Sequence, residues 1–220
     1  GPVGLRDTLR AVRRSAVPVV GIGRDVREAF RAYRVTTHGT RIAFLAASSE
    51  PDQLARSAAG PSKAGIATAR AADPRRLVRA VQEAARRNDV VVVYLHWGTE
   101  LETCPTREQR VTARALAAAG ADVLVGSHAH VLLGAGWLDH TFVDYGLGNF
   151  VWYHGRQPDS GVLQVQVRNG SVVGGSWDPA RIGLAGGPAR PVHGERRTAA
   201  IADWKRLRGC TDLAPRPGAQ

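Results

Sequence analysis

Two apolar runs, "VVVYLHWGTE" and "DVLVGSHAHV", each lead into histidine. The chain holds 7 histidines, and His96, His128 and His130 stand where buried strands would run out. Neutral imidazole ligates borderline divalent metals such as Zn, Mn, Fe, Co and Ni, so three converging rings point to a metal site. Histidines held structurally by hydrogen bonds are the alternative. In an extended segment His128 and His130 would point the same way, because side chains alternate with period two. Gly126 would let the backbone turn tightly at the strand end. His38, His140, His154 and His193 stand alone and read as structural.

The elements that must position these residues are legible around them. In "DPRRLVRAVQEAARRNDVVVVYLHWG", Asp73 suits a helix cap, Pro74 the first helical position, and Leu77, Val78, Val81 and Ala85 an apolar stripe. Asn88 ends that helix, and Val90 to Leu95 has the continuous apolar character of a parallel strand covered on both faces. Thr106 with Gln109 forms a capping box, Val111 to Ala119 continues the helix, Gly120 stops it, and Val123 to Val125 is the next strand. Strand, helix, strand in this order predicts a parallel crossover. Both strands then end at one sheet edge, where open α/β sheets place their ligands.

Upstream, "GLRDTLRAVRRSAVPVVGIG" predicts a helix with Leu5, Leu9 and Val12 on one face, broken at Pro18, then a short β run of Val17, Val19 and Val20 closed by Gly21. Asp25 caps a short helix, and "YRVTTHGTRIAFLAA" predicts a hairpin turning at His38-Gly39, with Ile42 to Ala46 buried. Residues 48–64 read as a long loop placed over the site. Downstream come a strand ending near Asp144, a glycine-rich turn carrying Asn149, and a hairpin turning at Asn169-Gly170. Residues 178–220 are expected to form a C-terminal extension with one helix, Arg197 to Arg208, anchored by Trp204, and a disordered "APRPGAQ" tail.

Apolar residues make up 44% of 220 residues, enough for a packed core and against general disorder. No apolar run approaches the roughly 18 residues needed to cross a bilayer, and no charged-then-apolar leader occurs. The formal charge is +11, carried almost wholly by arginine. The arginines read either as a solvated basic face or as a surface for a polyanion, and their charge would draw anionic polymers by long-range attraction. They are not interleaved with aromatics and no nucleic-acid motif accompanies them, so no specific nucleic-acid partner is expected. Cys104 and Cys210 lie in no CxxC pattern, and a single disulfide in an exported protein is the better reading. That bond would pin the C-terminal extension to the histidine edge.

The segments "YLHWGTELETCPTREQRVTARALAAAGADVLVGSHAHVLLG" and "DYGLGNFVWY" resemble the bacterial capsule-synthesis CapA family, which is associated with poly-γ-glutamate production and related to the calcineurin-like metallophosphoesterases. The likeness rests on "HWG.E", "AGAD..VG.H.H" and "LGNF" and runs from about residue 4 to about residue 176. It implies an α/β fold, a layered sheet with flanking helices, for residues 1–177, lacking that family's N-terminal strand and helix units. It implies His96 and His128 on one metal and His130 on a second, the ions being Mn, Zn or Fe, possibly two in a longer protein. The blocks that would supply a bridging Asp and an Asn-His pair do not occur, so a further N-terminal segment is expected, and this chain is expected to hold at most one ion, weakly. By the same resemblance Glu100 faces the site, to hold water or move a proton; as residues go, it reads equally as a solvated loop acid. Asn149 is either an oxyanion donor or a plain turn residue. The implied activity is metal-assisted hydrolysis of an anionic envelope polymer or phosphoester. The alternative is a non-catalytic component of a polymer-synthesis or export assembly. Envelope or extracellular location, contact with polymer-synthesis proteins and peripheral membrane association go with either.

Overall fold

The computed structural model describes residues 1–50, 56–69 and 74–218. Its centre is a six-stranded sheet in the order β2-β3-β5-β6-β8-β7. The strands are β2 (Tyr33–Thr37), β3 (Thr40–Ser48), β5 (Val90–Trp97), β6 (Val123–His128), β7 (Ala135–Leu138) and β8 (Thr141–Asp144). β3, β5, β6 and β8 run parallel, while β2 and β7 close the sheet antiparallel. The hairpin at His38-Gly39 and the parallel pairing of β5 with β6 agree with the sequence reading. The chain is thus an α/β domain.

Two helices cover one face of this sheet. α3 (Arg75–Ala85) buries Leu77, Val81 and Ala84, and α4 (Arg107–Ala118) buries Ala113 and Leu116. They pack with Ala43, Leu45, Val91, Val93, Leu95 and Leu124 in the main core. These strand residues alternate with Phe44, Val92, Tyr94 and Val125, which point to the opposite face. Thr106 and Gln109 cap α4 reciprocally, as their spacing predicts, and Gly120 turns the chain out of it at φ +97°. Pro74 sits at the cap of α3 rather than inside its first turn; Asp73, the expected cap, lies outside the described residues.

β9 (Val151–Trp152) pairs antiparallel with β12 (Gly187–Pro188), and the opposite face is partly covered by a second sheet of β10 (Asp159–Arg168), β11 (Ser171–Arg181) and β13 (Arg190–Pro191). β10 and β11 turn at Asn169 and Gly170, both with positive φ, as the Asn-Gly pair predicts. The ring of Phe142 fills the space that a Cβ at Gly175 would need. Behind it Trp177 stacks on Trp204 of α5 (Gly194–Arg206), with ring centroids 5.7 Å apart. β11 runs straight through the boundary expected at residues 177/178. A groove of about 510 Å³ remains between β10 and the strands β3, β5 and β6.

Three expectations need correction. Val17, Val19 and Val20 form no strand: Pro18 has no N–H to donate, Val17 and Val19 are exposed, and the short β1 (Ile22–Gly23) comes later, paired with β4 (Gly65–Ile66). Residues 214–218 of the tail are not free, because Ala214 exchanges backbone hydrogen bonds with Trp137 and Gly218 donates to Asp139; Ala219 and Gln220 lie outside the described residues. Gly126 lies within β6 and makes no tight turn. A Cβ there would meet the Tyr145 carbonyl at 2.0 Å and the Trp97 indole nitrogen at 2.4 Å, so glycine is needed for room.

At the amino edge Asp89 accepts three hydrogen bonds from Arg41, which holds its carboxyl down at about 2 and ties β3 to the start of β5. α1 (Pro2–Arg14) presents Leu5, Leu9 and Val12 inward, with Leu9 buried, and α2 (Val26–Ala29) is capped by Asp25. Cys104 and Cys210 are disulfide-bonded, joining the approach to α4 to the 3-10 turn after α5. Among the described residues no helix is long and apolar enough to cross a membrane.

Candidate metal and hydrolase site

In the parallel register Ser48, His96 and Ser127 stand side by side at the carboxyl edge, with His128 next to Trp97. The three histidines do converge there. The rings of His96 and His128 lie 4.6 Å apart between centroids, those of His128 and His130 6.3 Å apart. The expected reason for the second pair is wrong. His128 and His130 both have positive φ, 98° and 60°, so they do not belong to one extended segment. Positive φ is costly for a residue with a side chain and persists only where the surroundings impose it, a pattern frequent at functional sites.

Each ring has a distinct environment. Burial holds the His96 imidazole below its ordinary value, helped by the nearby His128 and His130, so His96 favours the neutral, ligating form. The Ser127 hydroxyl lies 3.3 Å from its Nδ1. The His128 Nε2 contacts the Glu50 carboxylate at 2.5 Å, both side chains being mostly buried. His130 is fixed by Asn149: its Nδ1 lies 2.7 Å from the Asn149 Oδ1, while the Asn149 Nδ2 donates to the His130 carbonyl. With the amide so oriented, Nδ1 must carry the hydrogen, which leaves the Nε2 lone pair outward in the neutral ring. Asn149 is itself buried, and its carbonyl accepts from Ser160. Its amide is engaged by His130, a role that neither sequence alternative, oxyanion donor or plain turn residue, describes. Glu100 is 63% exposed with its carboxylate 3.9 Å from the His130 Nε2. It stands at the site without closing on it.

Sequence reasoning missed Glu50, which lies within the 48–64 loop expected to lie over the site; residues 51–55 of that loop are outside the described residues. The available signal was its place two residues beyond β3, which pairs in parallel with β5 and so ends at the same edge. Trp97 and Tyr145 are fully buried and stacked on one another, with the indole donating to the Tyr145 carbonyl, so they belong to the core. Trp152 lies against His130 at 4.5 Å, and Tyr153, 77% exposed, forms the rim. Past His130, Val131 and Leu132 lead into a cavity of about 360 Å³ bounded by residues 156–160, β11 and α5.

The donor types, imidazole nitrogens with one carboxylate, suit a borderline divalent ion. Among the described residues, however, no three His, Cys, Asp or Glu side chains already surround a common point at ligating distance. The arrangement gathers imidazoles and fixes the tautomer of His130, yet would have to tighten around an ion.

An α/β sheet with histidines at neighbouring parallel strand ends defines the class of the molecule. Residues 1–154 match the family described as bacterial capsule synthesis protein PGA_cap, and the chain belongs to that family. It is 34% identical over 171 residues to the PGA biosynthesis protein CapA of Bacillus subtilis, covering 76% of this chain and 44% of that protein. It is 30% identical over 203 residues to the capsule biosynthesis protein CapA of Bacillus anthracis, covering 87% of this chain and 46% of that one. The chain thus spans less than half the length of these curated relatives. Among solved structures, a hypothetical protein from Thermus thermophilus superposes with a TM-score of 0.47 at 18% identity, covering 68% of this chain and 61% of the other. A putative 5'-nucleotidase from Staphylococcus aureus gives 0.46 at 14% identity, covering 90% and 38%.

Proposed function

We propose that this chain is the histidine-bearing part of an exported, metal-dependent hydrolase acting on poly-γ-glutamate, or on a comparable anionic envelope polymer or phosphoester, during capsule synthesis. The observation that carries this reading is the meeting of His96, His128, His130 and Glu50 at the ends of three adjacent parallel strands. His96 and His128, with Glu50, would hold a divalent ion such as Mn, Zn or Fe, and His130 would offer its Nε2 to the same ion or a second one. Such an ion would supply Lewis-acid polarisation of the scissile group. The protein's own part is positional. Asn149 keeps His130 in one tautomer, Glu50 orients His128 and balances charge, and the exposed Glu100 is free to pass a proton between site and solvent. The Cys104–Cys210 bond supports export, since a reducing cytosol would not keep it.

A second reading, a non-catalytic component of a polymer-synthesis or export assembly, is favoured by one observation: the absence among the described residues of a ready-made ligand triad. Calorimetric titration with Mn²⁺ and Zn²⁺ separates the two, followed by hydrolysis assays on poly-γ-glutamate and phosphoesters with this chain and with a longer form of the protein. One ion at most should bind to this chain, less tightly as pH falls through the imidazole range because protons compete for the ring nitrogens. His128→Ala should abolish ion binding and hydrolysis while the circular dichroism spectrum stays unchanged. Undiminished hydrolysis by His128→Ala would sink the enzyme reading, and ion binding without any hydrolysis by the longer form would favour the scaffold.

A further inference from the structure

A second feature lies away from the histidines, on the helix-covered side. α2 and α3 border a groove of about 520 Å³ lined by Arg27, Arg31, Arg34, Arg76, Arg79 and Arg87, against, among the described residues, a single acid, Glu83. Several arginines elsewhere are matched: Arg24 is paired with Glu28, Arg41 with Asp89 and Arg114 with Asp212. In the groove, Arg87 only approaches Glu83, at 3.8 Å with both side chains exposed. Among the described residues Arg27, Arg31, Arg34, Arg76 and Arg79 form no ion pair, and Arg31 touches the balance only by its field on Glu28. A merely solvated face mixes signs; this one carries a surplus of cation over a floor of Val26, Phe30, Ala32 and Ala80.

The spacing gives the groove a direction. Arg76, Arg79 and Glu83 form one stripe of α3 at intervals of three and four, and Arg87 follows in the turn just past its end. From Arg76 to Ala85 the helix rises roughly 14 Å, at about 1.5 Å per residue. α3 follows β3 and precedes β5, so Arg76 lies toward the edge that bears the histidines and Arg87 toward the opposite edge. The geometry points to a binding track for an extended polycarboxylate, leading to that edge. Guanidinium groups pair with carboxylates in a fork, and the apolar floor suits the methylene backbone of a γ-linked polyamide. Phe30, half-buried, is the only aromatic among the described residues of the lining, which leaves no stacking platform for nucleic-acid bases. The choice of a polycarboxylate rests on the proposed function; the track itself does not need the histidine chemistry.

Fluorescence anisotropy of end-labelled poly-γ-glutamate, titrated with the whole chain at several salt concentrations, tests this without turnover. The triple variant Arg76→Gln/Arg79→Gln/Arg87→Gln should weaken binding by about tenfold or more and flatten its salt dependence. The same three positions changed to Lys should keep most of the affinity, and Arg6→Gln/Arg13→Gln/Arg14→Gln on α1 should change it less than about twofold, because their charges lie off the track. Equal loss in the α1 triple would reduce the effect to net charge and overturn the proposal, as would equal loss in the Lys triple. Tighter binding of duplex DNA than of poly-γ-glutamate would overturn it in favour of a nucleic-acid surface. Since no bond is cut in the assay, a failed track leaves the hydrolase reading standing, and an inactive His128→Ala protein should still bind the polymer.

Discussion

The two faces of the central sheet differ in how they are covered. On the helix side Val91, Val93, Leu95 and Leu124 are completely buried. One residue along β5 on the other side, Tyr94 is 44% exposed, and Val92 lines an open groove. Both sets come from one apolar run, so composition does not separate them. The helix side fixes the strands and thereby their ends. The hairpin side leaves His96, which points to that face, within reach of a ligand. Rigidity on one face and access on the other are what a site of converging strand ends needs.

The largest expected effect tests the link between these two sides, because the disulfide joins the approach to α4 with the end of α5. Cys104→Ser/Cys210→Ser should lower stability by about 3 kcal/mol, below the upper figure of roughly 4–5 kcal/mol that chain entropy gives for so long a loop. Urea unfolding with and without reductant measures it. A change near zero would mean that the hairpin side is held by its tryptophan packing alone.

Neighbouring residues on β5 sharpen the contrast itself. Leu95→Ala should cost about 3 kcal/mol through lost burial and a residual cavity, while Tyr94→Ala should cost about 1 kcal/mol or less. Similar unfolding midpoints for the two variants would show that the open face is as well packed in solution as the sealed one.

Asp144 brings pH into the comparison. It is fully buried at the end of β8, and burial pushes its carboxyl up to about 7, against the opposing pull of the Gly146 N–H and the Trp204 indole. The indole nitrogen lies near but makes no hydrogen bond of sound geometry, and the Asp144 Oδ2 is without a partner among the described residues. A carboxyl raised in the folded state binds its proton more tightly there than in the unfolded chain. Its contribution is therefore full below the ordinary carboxyl range, falls as pH rises, and is gone above about 7. Asp144→Asn should remove this slope and stabilise the protein at pH 8 by on the order of 2 kcal/mol. Thermal melts of both proteins from pH 4 to 8 check the sign. His96, held below its ordinary value, works the other way: its neutral form favours folding, and the gain is lost as pH falls beneath the imidazole range.

The smallest effect on the fold belongs to Asn149→Leu. It should leave the sheet intact but free the His130 ring, weakening Mn²⁺ or Zn²⁺ binding by about 10–100-fold, the usual result of removing a residue that orients a ligand. Unchanged affinity would show that His130 takes no part in holding the ion.

Much of this was legible one segment at a time. The capping box at Thr106 and Gln109, the Asn169-Gly170 turn and the parallel β5–α4–β6 unit follow from local spacing, and with them the edge that carries His96, His128 and His130. Those signals work because capping, turning and alternation are decided by neighbours in the chain. The tertiary structure alone decided that Glu50 reaches His128, that the Asn149 amide locks His130, that Gly126 makes room for Trp97, and that Asp144 is sealed beside Trp204. Each of these joins segments far apart in sequence. The sheet register and the packing of separate layers bring them together, and no local pattern records where a distant strand will end.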